Sequence, residues 1–241
     1  MTEAAAAPVR TWRTVLQHIE RCLTDGSLGQ GDRLPSERDL AAELGVGRSS
    51  VREAIRVLEV MGLIRTATGS GPHAGAVLVA APGGGLSALL RLQVAAQGFS
   101  IADVVDTRLI LEQAVVTALA DATDSDTTEA HRILDAMDGD LSAPAFVALD
   151  ARLHLALAEA SGNAVVAAMM TGLREAIEAY ALTGSLRIDD WSAMADLLRA
   201  QHRDIVRAID EGRTGDAVTA IRAHIGGYYA ATGLGHEPRR D

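Results

Sequence analysis

Arg48, Arg52 and Arg56 stand four residues apart, so on a helix they line one face. Val51, Ala54, Ile55, Leu58 and Met61 between them are apolar at the spacing of a helix packed on a core. A cationic face backed by an apolar one can enter a groove of duplex DNA, although an arginine stripe alone suits a solvated surface equally well. Asp150 and His154, also four apart, put a carboxylate and an imidazole on one helix face beside Leu149, Leu153, Leu157 and Ala160. Taken singly, such a histidine is most often a satisfied core or surface residue. Arg108 and Glu112 repeat the spacing, and by itself that pattern is an intrahelical ion pair worth about 0.3 kcal/mol.

Local signals place the arginines in a helix-turn-helix. Residues 32–62 read DRLPSERDLAAELGVGRSSVREAIRVLEVMG, two short helical patterns joined by a glycine-containing turn. Pro35 stops an extended segment, Ser36 can cap the first helix, and Asp39 sits where a carboxylate faces the positive helix end. Gly45 suits the left-handed position that ends this helix, and Gly47 opens the next one. A preceding helix is expected over 10–25, from Trp12, Val15, Leu16, Ile19 and Leu23. Two short strands, 63–67 and 76–81, flank a glycine-rich connection, and AAPGGG (80–85) reads as a linker.

From Leu86 onward the periodicity is helical throughout, with helices predicted over 86–97, 100–121, 125–138, 143–161, 163–184, 189–211 and 214–231. The fold class is therefore mainly α: a winged helix-turn-helix with a small β-wing, then an all-α bundle of six or seven helices. The expected domains are 10–81, a linker at 82–85, and 86–232.

Charge is unevenly distributed. The net charge is −10, yet residues 1–75 hold nine Arg against nine acids, while 76–241 hold thirteen Arg against twenty-three. The amino-terminal part must attract phosphates through local arginines, and the remainder is a poor match for polyanions. Lysine is absent. Cys22 is the only cysteine, so no intrachain disulfide forms, and its helical setting predicts a buried side chain. No signal peptide and no apolar run long enough for a membrane span are read, which implies a cytoplasmic protein.

The helix-turn-helix stretch, extended to DRLPSERDLAAELGVGRSSVREAIRVLEVMGLI, resembles the winged helix-turn-helix of the GntR transcription regulators. The resemblance implies DNA contact by the arginines of S-E-R, of the second helix start and of V-R-E, which are Arg38, Arg48 and Arg52. Ser49 and Ser50 occupy the helix start, where small hydroxyl residues reach phosphates or bases. Gly47 departs from the usual Ser or Thr, and the wing (66–77) is longer and richer in glycine, so Thr68, Gly69 and His73 receive no role.

RLILEQAVVTALA (108–120), DARLHLALAEASGN (150–163), QHRDIVRAIDEGRTGDA (201–217) and RAHI (222–225) resemble the ligand-sensing helical domain of the FadR subfamily. That resemblance implies a divalent metal on Asp150, His154, His202 and His224, with Zn, Ni, Mn or Fe all suited to such donors. Two positions of an octahedral ion would remain for water or an effector carboxylate. It also implies that Arg108 clamps a carboxylate with its planar fork of donors and that Asn163 lies near the ligand. The implied protein is a homodimeric regulator, a repressor, which binds a palindromic operator and a small organic acid. The rival is a metal-dependent enzyme acting on a small carboxylate; no convincing general base or nucleophile motif stands beside the ligands.

Overall fold

The computed structural model describes residues 11–67, 75–79, 84–96 and 98–233, in two compact units, Met1–Gly85 and Leu86–Asp241. The first unit holds α1 (Thr11–Thr24), α2 (Glu37–Leu44), α3 (Arg48–Val60), β1 (Ile64–Ala67) and β2 (Gly75–Leu78). Val15 and Ile19 of α1, Leu40 of α2, and Val51, Ala54 and Leu58 of α3 interlock over Ile64 and Leu78. The strands pair antiparallel, with Ile64 opposite Leu78 and Ala67 opposite Gly75. Ahead of Pro35 the chain runs extended and bridges β2 through Arg33 and Val77. Thr68, Gly69 and His73 of the expected wing lie outside the described residues.

The turn between α2 and α3 follows from its caps. Ser36 Oγ accepts from the Asp39 amide and donates to Asp39 Oδ2, which starts α2. Gly45 ends it at φ 64°, a conformation that penalises any residue with a Cβ. Gly47 then caps α3 without a side-chain hydrogen bond. Cys22 is half-buried rather than enclosed, with its Sγ 3.6 Å from His18 Nε2.

The second unit consists of α4 (Gly84–Ala95), α5 (Ile101–Asp121), α6 (Thr128–Met137), α7 (Ala143–Ala160), α8 (Ala164–Ser185), α9 (Trp191–Asp210) and α10 (Thr214–Thr232). Gly84 and Gly85, read as linker from sequence, form the first turn of α4. The start of α6 slips to Thr128 because Asp126 accepts from the Thr128 amide, while Thr127 donates to Asp210. Leu119, Ile133, Met137, Phe146, Leu153, Ile205, Ile209, Ile221 and Ile225 fill the core. Helix α10 packs along α5 and α9, and α7 packs on α5, α6 and α8. The inward faces of α5, α7, α9 and α10 thus meet inside one bundle, and that is where the polar residues converge.

Candidate functional site

In the first unit, burial of Val51, Ala54 and Leu58 leaves Arg48, Arg52 and Arg56 exposed on the other side of α3. Among the described residues, Arg48 has no ion-pair partner. Arg52 is 54% exposed and lies 3.5 Å from Glu37, and Arg38 is 75% exposed and lies 3.3 Å from Asp39. Exposed pairs at these distances bind weakly, so both guanidinium groups can exchange partners for phosphate or base edges. Ser49 is exposed as expected. Ser50 is half-buried, and its hydroxyl bonds Thr11, tying α3 to α1.

In the second unit, Asp150 and His154 of α7, His202 of α9 and His224 of α10 are all buried, and their ligand atoms lie within 4.8 Å of one another. Asp150 Oδ1 is 2.9 Å from His202 Nε2, 3.6 Å from His224 Nε2 and 3.8 Å from His154 Nε2. The Nε2 atoms of His154 and His224 face each other at 3.2 Å. His202 is fully buried, yet neither of its ring nitrogens has a hydrogen-bond partner among the described residues. Its Nε2 sits close to Asp150 but off the direction an N–H would use. Asp150 and the three imidazoles thus gather their donor atoms around one point, an arrangement that could hold a metal ion. Three imidazoles and a carboxylate are a donor set for Zn, Ni, Mn or Fe, and these residues fit such an ion.

Two further residues brace the imidazoles. His224 Nδ1 donates to Gln201 Oε1 at 3.1 Å, which leaves its Nε2 as the lone-pair atom. His154 Nδ1 meets Glu112 Oε2, so Glu112 acts beyond its pairing with Arg108, whose Nε donates to Glu112 Oε1 at 2.6 Å. Sequence reasoning missed both roles. The available signals were an acid four residues from a buried arginine and a glutamine next to a buried histidine.

Arg108 is 3% exposed, and its Nη2 lies 3.7 Å from Asp150 Oδ2, too far for a hydrogen bond. It lines a cavity beside Asp150, His224, Tyr228 and Tyr229. The structure does not bring Asn163 there. Asn163 is exposed at the start of α8, where its Oδ1 accepts from the Val165 and Val166 amides, so it serves as a helix cap.

Burial and charge oppose each other throughout the cluster. Burial raises Glu112, but the charges of Arg108 and His154 outweigh it and hold the carboxyl at about 2, against an ordinary 4.5. Burial likewise opposes ionisation of Asp150, yet the surrounding imidazoles keep its carboxyl well below the usual range. Burial pushes His202 down, and burial with the neighbouring His202 pushes His224 to about 3. His154 goes up, because Glu112 overcomes its desolvation.

These shifts set the expected pH dependence without metal. Glu112 stabilises the fold fully above about pH 4.5 and loses that contribution as pH falls toward 2. The unfolded chain protonates His202 and His224 near 6.5 while the folded site resists, so both cost stability as pH falls below 6.5. His154 acts in the opposite sense, stabilising below 6.5 and ceasing to do so as pH rises through its folded pKa. With two imidazoles against one, the chelator-treated chain should unfold at lower urea at about pH 5 than at about pH 7.5. An equal or higher midpoint at the acid value would show instead that the folded cluster takes up protons.

Comparison with known proteins fits both units. Residues 103–227 match the family described as FCD domain, and residues 11–73 match bacterial regulatory proteins, gntR family. The chain belongs to the GntR family. Within it, the FCD match places the chain in the FadR-like architecture. The chain is 29% identical over 235 residues to the HTH-type transcriptional repressor NanR of Citrobacter rodentium, covering 94% of this chain and 87% of that one. It is 33% identical over 166 residues to NanR of Klebsiella aerogenes, covering 66% of this chain and 62% of that one. A solved Streptococcus agalactiae GntR shares the fold at 24% identity and a TM-score of 0.58, over 89% of this chain and 96% of that chain. Among the described residues no helix is long and apolar enough to cross a membrane.

Proposed function

We propose that this GntR-family chain is a cytoplasmic, homodimeric transcriptional repressor whose hold on a palindromic operator is set by a small carboxylic acid. One observation carries the sensing part of this reading. A buried Asp–His–His–His cluster adjoins a cavity into which a buried arginine presents an unpartnered Nη2. The relatives named as repressors support the regulatory part.

Asp150, His154, His202 and His224 would hold a divalent ion. Such an ion supplies positive charge that the carboxylate of an effector can meet. Arg108 positions the acid by charge-assisted hydrogen bonding, with Glu112 fixing its fork. Gln201 and Glu112 keep the His224 and His154 rings turned toward the shared point. In the first unit, Arg48 and Arg52 reach base edges and phosphates from α3, with Ser49 beside them, and Arg38 reaches phosphates from α2. In a two-fold dimer the two α3 helices read the two half-sites of a palindrome. The acid changes operator affinity only by binding one arrangement of the dimer more tightly than another.

The experiment is a fluorescence-anisotropy titration of operator DNA selected from random duplexes, with a panel of small carboxylic acids. One or more acids should release DNA from the zinc-loaded protein and fail to do so after chelator treatment. Release that survives the chelator would remove the metal from the mechanism, and no release by any acid would remove the effector. Catalytic turnover of a bound acid would favour the enzyme reading instead.

A further inference from the structure

Helix α10 carries Gly226 and Gly227 side by side, and the helix runs through both without a break. A glycine in a helix interior disfavours the helix about fivefold relative to alanine. Such a residue ordinarily makes room for a close neighbour. Here both glycines face solvent, and a Cβ added to either meets nothing within 4 Å among the described residues. Packing therefore does not account for the pair.

Its position does. His224 and Ile225 precede the pair, Tyr228 and Tyr229 follow it, and all four line the cavity beside Asp150. That cavity encloses about 10 Å³, room for about one water. The four cluster residues are themselves buried. Neither a hydrated ion nor an organic acid reaches them unless a wall moves. The two halves of α10 are anchored to different partners. Upstream of the pair, His224 Nδ1 is tied to Gln201 of α9. Downstream, Tyr228 Oη donates to the Ala181 carbonyl of α8 at 2.5 Å, and Arg187 Nη1, just beyond α8, donates to the Thr232 carbonyl at 3.1 Å. Between the two sets of anchors lies the one place where the helix bends at little cost.

We propose that Gly226 and Gly227 form a hinge, about which residues 228–232 swing away from α8 and open the buried cluster to an entering ion. The inference rests on the reading that the cluster holds a divalent metal and adds the route by which one enters.

The test compares the full-length protein with Gly226→Ala/Gly227→Ala, where open space accepts both methyl groups. Two alanines should lower the open population about twentyfold, so the amides of 228–232 should exchange hydrogen at least about tenfold more slowly, as read by mass spectrometry. Zinc is the probe for entry. A chelating dye should withdraw zinc from the loaded double variant about tenfold more slowly than from the parent, with zinc affinity within about twofold, because the closed form is favoured equally with and without the ion. Arg187→Ala cuts one anchor and should speed both processes about threefold. Gly215→Ala, at an exposed glycine near the start of the same helix, should change neither. Unchanged exchange in the double variant overturns the hinge, and slowed exchange with unchanged zinc withdrawal overturns its role as a gate. Equal slowing by Gly215→Ala would trace the effect to helix stability in general and overturn the proposal. An altered sedimentation coefficient of the double variant would assign the glycines to a contact between copies, with the same consequence. If the parent binds no zinc, the metal reading falls, and hydrogen exchange alone upholds or overturns the hinge.

Discussion

Replacing Arg48 and Arg52 together with alanine is expected to lower operator affinity at least about 100-fold while leaving the fold intact. A guanidinium on a base edge or phosphate contributes roughly 1–3 kcal/mol, and the variant removes two from each protomer. Nothing else in the chain can replace them by bulk attraction, since the net charge is −10. The slope of log affinity against log salt should flatten by roughly 0.9 for each phosphate that is no longer neutralised. Both side chains are exposed, and the pair that Arg52 forms with Glu37 is a surface one, so unfolding should change by no more than about 0.5 kcal/mol. Anisotropy titrations at several salt concentrations, with urea unfolding alongside, measure all three quantities. Arg56→Ala is the internal comparison: it lies further along α3 and should have a smaller effect. Unchanged affinity in the double variant would move DNA reading away from α3.

The two halves of the molecule were legible for different reasons. The helix-turn-helix is built from local signals: Ser36 and Gly45 act through bonds a few residues away, and the arginine stripe follows directly from helical periodicity. The cluster in the second unit is non-local. Periodicity links Asp150 to His154, but the separation of 70 positions between His154 and His224 follows no spacing rule. Only the packing of α7, α9 and α10 brings those rings together, so the sequence could offer the set through family resemblance alone. Glu112 illustrates what is hidden at that level. Its partner four residues back is visible in sequence, whereas its contact with His154 depends on how α5 lies against α7. Asn163 shows the converse: resemblance places it near the ligand, whereas its bonds to the Val165 and Val166 amides are those of a local helix cap. Helix α6 starts at Thr128 rather than at the 125 that periodicity predicts, because Asp126 closes a turn on the Thr128 amide.

Zinc is expected to raise the unfolding temperature of this protein by about 10 °C, and Asp150→Asn to abolish most of that increase. A ligand at about a thousand times its Kd stabilises the native state by roughly 4 kcal/mol, and each kcal/mol shifts a unit of about 150–250 residues by roughly 2–4 °C. Asp150 is the one carboxylate within reach of all three imidazoles among the described residues. Even residues that only orient metal ligands commonly cost about 10–100-fold in affinity, so replacing a direct charged donor by an amide should cost at least about 100-fold. That corresponds to about 2.7 kcal/mol, most of the zinc increment. Asparagine keeps the side-chain volume, so the chelated variant should still show a cooperative transition. Gln201→Leu supplies a graded comparison, because it removes only the acceptor that orients His224 and should weaken zinc by about tenfold. Differential scanning calorimetry with zinc or chelator, together with competition titration against a zinc dye, reads both numbers. A full zinc shift retained in Asp150→Asn would mean that the ion binds elsewhere. The four buried groups would then serve only as a polar core of the bundle.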